Sequence, residues 1–202
     1  MARLIALFPL RRGSHPTREH GMCAMEMVAW LAGEPHSDEP ACTCPVLAAL
    51  VRAANDALPS DAARGRWLRP LVPQLIGTHR AAAITRRRAF AVVDAAVRRF
   101  APLRLGRVGR AGAAQALRAL PPVRDAGSAV TALLAVRRHA PELRPLLWLL
   151  ERARDGELAP HHLGSAVMLL RPVGDAAAWA QLVALLRLLL AIDRPASVDR
   201  RP

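Results

Sequence analysis

The sequence predicts an all-α protein, and three observations carry the prediction. Apolar residues recur at spacings of three and four through successive segments, and proline and glycine fall where those segments break. Nowhere do apolar and polar residues alternate between hairpin-type turns, so strands are not expected. The expected architecture is an N-terminal helix–loop–helix hairpin followed by an irregular multi-helix bundle or array.

The first helix is expected over 20–32, with Cys23, Glu26, Met27 and Trp30 on one face and Gly33 placed to end it in the left-handed conformation. Pro35 and Pro40 keep 33–43 from being helical, which makes it a structured loop. Pro45 suits the first position of a second helix, because its missing donor is not needed there, and Cys44 becomes the N-cap. This helix runs to about Leu58 on a stripe of Val46, Leu47, Leu50 and Val51. Ser60 caps a short helix to Arg69, and Pro70 opens another turn or two ending near Gly77.

A longer helix is expected from Thr78 to about Phe100, carrying Ile84, Phe90, Val93 and Val97, with Pro102 ending it. Residues 103–112 hold three glycines among arginines and read as a flexible connection. Further helices follow over 113–120, 126–139, 142–154, 161–170 and 175–192, broken by prolines and glycines. The expected organisation is an N-terminal arm (1–19), a helical domain with the cysteine-containing loop (20–102), the Gly/Arg connection (103–112), Leu-rich helices packed on the first part (113–194) and a disordered tail (195–202). No fixed repeat period marks a solenoid.

All 29 basic residues are arginine, against 16 acidic ones, for a net charge of +13. Such a balance attracts polyanions irrespective of their sequence. The helix bearing Arg86, Arg87, Arg88, Arg98 and Arg99 is therefore a candidate nucleic-acid face, although most arginines are scattered at the spacing of solvated helix faces. Residues 176–192 are interrupted by Gln181 and Arg187 and fall short of the roughly 20 residues that span a bilayer. The segment Leu182–Leu190 is apolar around too much of its circumference for a simple surface helix, so it is expected to be buried or to face a partner, and self-association is expected through it. The apolar run near Met1 is too short for an export signal, and an odd cysteine count argues against a paired disulfide framework. A cytoplasmic setting is the expectation.

Any chemistry is concentrated in 20–45, which holds all three cysteines. In one reading the stretch is packed core, with Ser37 and Asp38 bonding loop amides, Cys44 capping and Glu26 paired to an arginine. In another it is a metal site: Cys23, Glu26, Asp38 and Cys42, with Cys44 and His36 as secondary candidates, supply the thiolates, carboxylates and imidazole that would give zinc four ligands. A third is a redox pair, Cys23 with Cys42. No nucleophile elbow, phosphate loop or His-Glu-x-x-His motif is present, and the expectation is a binding protein rather than an enzyme.

The pattern Cys-x-Met-Glu-x-Val-Ala-Trp-Leu-Ala-Gly-Glu-Pro-x-Ser-Asp-x-Pro-x-Cys-x-Cys-Pro-Val-Leu, with Asn55 to Pro59, Leu68 to Pro73, Ile76 to Thr78, Arg88 to Phe90 and Leu117 to Pro121, resembles an uncharacterised family from high-GC bacteria and their phages. The resemblance covers roughly 20–125 and implies no activity. It implies that the place of Cys44 accepts Ser or Asp, substitutions that suit a cap.

Overall fold

The computed structural model describes residues 8–192. The expected tail 195–202 and the first seven residues of the expected arm lie outside the described residues. Helices make up most of the described chain, and no strand forms among the described residues; Leu10 and Met22 make an isolated parallel bridge.

Residues 8–19 do not hang free as an arm. Leu10 is fully buried, Arg11 N–H donates to the Met22 carbonyl at 2.8 Å, and Asn55 Nδ2 donates to the Arg11 carbonyl at 2.8 Å. The expected helix start at His20 is also displaced. A 3-10 turn covers Arg18–His20, and helix α1 is Ala24–Ala32 with Cys23 as its N-cap. The physical reason is a capping box: Glu26 N–H donates to Cys23 Sγ while the Glu26 carboxylate accepts the Cys23 N–H at 2.6 Å. Gly33 closes α1 at φ 74°, as its position predicts.

Helix α2 (Pro45–Ala57) begins with Pro45 behind Cys44. Ser60 caps α3 (Asp61–Trp67), and a 3-10 turn leads into α4 (Val72–Leu75). Helix α5 (Ala82–Ala95) continues through a π-helical turn (Ala96–Phe100) into α6 (Ala101–Arg107), so Pro102 does not end the segment. A proline inside an α-helix loses a hydrogen bond and collides with the carbonyl four residues back. Here Ala101 N–H donates to the Ala96 carbonyl in the wider turn, and Pro102 enters at the second position of α6, where its missing donor costs little.

The expected flexible connection 103–112 is thus half helix and half ordered corner. Gly109, at φ 75°, turns the chain from α6 into α7 (Ala111–Arg118), and Arg110 N–H donates to the Leu105 carbonyl. Arg107 pairs with Asp175 and Arg110 with Glu142, which ties this corner to two later elements. Asp94 fixes the next connection by accepting the Val123 N–H at 2.9 Å.

Helices α8 (Ala126–His139) and α9 (Arg144–Arg154) form a hairpin, a 3-10 turn (Pro160–Gly164) leads to α10 (Ser165–Met168), and α11 (Ala176–Ala191) completes the described chain. One apolar core runs from Leu10 to Leu190 and joins both halves. A Cβ at Gly164 would stand 3.3 Å from Ala53 Cβ, so the 160–164 turn lies tightly on α2. Along α11, Leu182, Val183, Leu185, Leu186, Leu189 and Leu190 are buried in the chain's own core. The chain's own core therefore takes up most of the apolar circumference of Leu182–Leu190, the segment through which self-association was expected, and Ala184, Arg187 and Leu188 are its exposed positions. No helix among the described residues is long and apolar enough to cross a membrane.

Candidate functional site

Of the residues proposed as metal ligands, Cys23, Glu26 and His36 meet at the start of α1, where each is engaged in a structural contact. Cys23 is buried at the α1 cap, where burial pushes its thiol up to about 12. Glu26 is buried in a polar knot: its carboxylate accepts the His15 amide at 2.5 Å, the Cys23 amide at 2.6 Å and the His15 ring Nδ1–H at 2.9 Å. His36 donates Nε2–H to the His15 carbonyl at 2.9 Å and stands 3.8 Å from Glu26. Burial raises the Glu26 carboxyl, but the amide bonds from Cys23 and His15 and the His15 ring outweigh it, and the net displacement is downward. The expected arginine partner of Glu26 is a histidine from outside the signature stretch.

Asp38 and Glu39 face Arg52, whose guanidinium also donates to the Asp38 carbonyl at 2.9 Å. Ser37 Oγ accepts the Glu39 N–H at 3.0 Å, one of the loop bonds the sequence suggests. Cys42 is half-buried with its sulfur 3.8 Å from Thr43 Oγ1, and Cys44 is fully buried, its amide donating to Thr78 Oγ1 at 3.0 Å. Cys44 sits at the N-cap as expected, yet its side chain makes no capping bond. Among the described residues no group of three or more His, Cys, Asp and Glu side chains is arranged to hold a metal ion. Cys23, Glu26, Asp38 and Cys42 are therefore not brought together as a ligand set, and the three cysteines are free thiols. The loop is instead held by Glu34, whose carboxylate accepts the Ala41 and Cys42 amides at 2.7 and 2.8 Å.

The arginines of the candidate nucleic-acid face divide in the same way. Arg88 is buried, and its guanidinium donates to the carbonyls of Thr78, Leu189 and Ile192 at 2.8 to 3.0 Å. It closes the C-terminal end of α11 and is not available to phosphate. Arg98 pairs with Asp94 at 3.3 Å, while Arg86, Arg87 and Arg99 remain exposed, Arg86 lying over the Phe90 ring.

The face of α5 that carries Arg86 borders a cleft of about 740 Å³. Its apolar lining comes from Val46, Ala89, Phe90, Ala153, Leu158 and Pro160, and its polar side chains include Arg80, Arg86 and the His79 imidazole. No carboxylate lines it. The first turns of α2 (Pro45, Val46), α5 (Ala82) and α8 (Ala126) all border it, so three helix N-termini lie at its margin. The α8 start is neutralised by Asp125, held low by the Ser128 amide and hydroxyl and, to a smaller extent, by Arg86. The α5 start has Ala81 at its cap, which offers no side-chain acceptor.

His79 belongs to the wall because the cysteine-containing loop binds it. Its amide donates to the Cys42 carbonyl at 3.0 Å and its ring meets the Ala41 carbonyl at 2.9 Å. Arg80 is held by the Gly77 and His79 carbonyls, at 2.5 and 2.8 Å. These two residues, with Leu158 and Pro160 from a distant turn, escaped the sequence reading. The legible signal was an uncapped helix start with arginines before it and in its second turn, the reverse of the acidic residues that suit a helix N-terminus.

Comparison of the chain with family models, with curated proteins and with solved structures gives no match. The chemistry of the cleft rests on its own residues.

Proposed function

We propose that the chain is a binding protein whose cleft between α2, α5 and α9 receives the anionic, apolar-anchored part of a ligand or partner. One observation carries the reading: a space of about 740 Å³ with an apolar lining holds two arginines and a histidine and no carboxylate. Pockets of this size that pair apolar lining with a few convergent polar groups are the usual form of a ligand site. An anion there faces the Arg86 guanidinium and the uncapped start of α5, whereas a cation or a neutral apolar group gains only burial.

The test uses decanoate as the smallest probe with both features. Isothermal titration is expected to show one saturable site for decanoate and none for decyltrimethylammonium. Thr85→Trp, which fills the cleft, is expected to abolish the signal while leaving the circular dichroism spectrum unchanged. Equal binding of the two probes, or decanoate binding that survives Thr85→Trp, refutes the reading.

A further inference from the structure

The cleft is the middle of a longer depression. A second hollow of about 340 Å³ shares Pro45, His79 and Pro160 with it and extends past Pro40 and Ala41 to Glu39, Arg52 and His161. A third, of about 450 Å³, shares Ala82, Arg86 and Phe90 and extends to Arg87 and Arg124. Through these shared residues the three hollows adjoin in a row, from the cysteine-containing loop at one end to the exposed side of α5 at the other, and together are called the groove.

We propose that this groove takes an extended acidic peptide segment of a protein partner, with an apolar side chain in the central cleft and carboxylates over Arg86, Arg87 and Arg124. The inference rests on the anion-binding reading of the central cleft and names its occupant.

The charge distribution sets the polarity of the occupant. Among the residues lining the central and third hollows there is no carboxylate, and three arginines gather at the α5 end. At the opposite end Glu39 is the acidic lining residue and is paired with Arg52 at 2.9 Å, so that end is close to neutral. The length fits a chain better than a compact small molecule. From Ala82 to Phe90 α5 rises about 12 Å at about 1.5 Å per residue, a distance that an extended strand crosses in about four residues at roughly 3.3 Å each.

Nucleic acid is the weaker occupant. Single strands are held by stacking bases on open aromatic faces. Phe90 is the one phenyl or indole ring among the lining residues, is 6% exposed and lies beneath Arg86.

The experiment is fluorescence anisotropy with a short labelled peptide carrying a Leu-Phe centre flanked by Asp and Glu, set beside the same peptide with Asn and Gln flanks and a labelled oligothymidylate. The acidic peptide is expected to bind at one site, on the order of tenfold more tightly than its neutral counterpart, with the advantage lost in Arg86→Glu/Arg87→Glu/Arg124→Glu. Thr85→Trp is expected to remove peptide and decanoate binding together. If decanoate binds but the acidic peptide does no better than the neutral one, the peptide proposal falls and the cleft reading stands. If oligothymidylate binds as tightly as the acidic peptide and depends on the same three arginines, the occupant is a polyanion and the proposal is overturned. Failure of both decanoate and peptide refutes both readings.

Discussion

Replacing Glu26 tests the account of how the N-terminal segment is held. Its carboxylate, 1% exposed, receives three hydrogen bonds: from the His15 amide, the Cys23 amide and the His15 ring. A hydrogen bond to a charged group contributes about 1.5 to 3 kcal/mol, and a buried donor left unmet costs about 1 to 3 kcal/mol. In Glu26→Gln one carboxylate oxygen becomes an NH2 group, which must face either the His15 amide or the Cys23 amide, donor against donor. At least one charged bond is lost and one buried donor is stranded, so the expected loss is about 3 kcal/mol of unfolding free energy. The measurement is urea denaturation followed by far-UV circular dichroism, with His15→Ala and the double variant completing a cycle. His15→Ala removes the ring bond while keeping the amide bond and is expected to cost about 1.5 kcal/mol. The two changes share a partner and are therefore expected to be non-additive. A loss below about 1 kcal/mol for Glu26→Gln, or strict additivity, refutes the knot as a stabilising unit.

Acidification reaches the same carboxylate by another route. Glu26 is held below its ordinary value of 4.5, and Glu34 likewise, its burial outweighed by the Cys42 and Ala41 bonds. The unfolded chain then binds the extra protons, so this stability is fully present above about pH 4.5 and drains away as pH falls below it. Urea midpoints that stay flat from neutral pH down to about pH 3 contradict this. Arg88→Met removes three donated bonds, leaves the Thr78, Leu189 and Ile192 carbonyls unmet, and is expected to cost about 3 kcal/mol or more. Retained stability on thermal melting counts against that role. Iodoacetamide is expected to label Cys42 in the native protein and all three thiols in urea, because Cys23 and Cys44 are buried and the Cys23 thiol is pushed up to about 12. Rapid native labelling of Cys23, read by mass spectrometry, contradicts its environment. Pro102→Ala is expected to change stability by less than about 1 kcal/mol, since the π-helical turn already accommodates the ring.

Much of the helical architecture was legible because the signals are local. Gly33 ends α1, Pro45 opens α2, Ser60 caps α3, and the α8–α9 hairpin follows its breaks. The failures share one cause, which is that a distant group changed the meaning of a local residue. Pro102 breaks a regular helix but not one that has just widened by a residue, and the glycines of 103–112 serve a corner pinned by Asp175 and Glu142. The α11 leucines read as either buried or partner-facing, because composition does not show which neighbours cover them.

The site was less legible than the fold. The sulfur-rich stretch attracts attention by residue type, yet its part in the groove is to form one end, through backbone carbonyls that hold His79. The groove's positive end comes from α5 and Arg124, and its opposite side from 153–160, separations that no short motif encodes. Arg86, Arg87 and Arg88 are adjacent in sequence, but the 100° step of the helix sends Arg88 inward while its neighbours face water.

That inward turn gives Arg88 a reach across 101 and 104 positions of the chain, to Leu189 and Ile192. Its own helix also supplies Thr85, Arg86 and Ala89 to the groove. The guanidinium thus ties the middle of α5 to the last turn of α11 and to the residue that follows it. A change that loosens α11 therefore reaches the helix that lines the cleft.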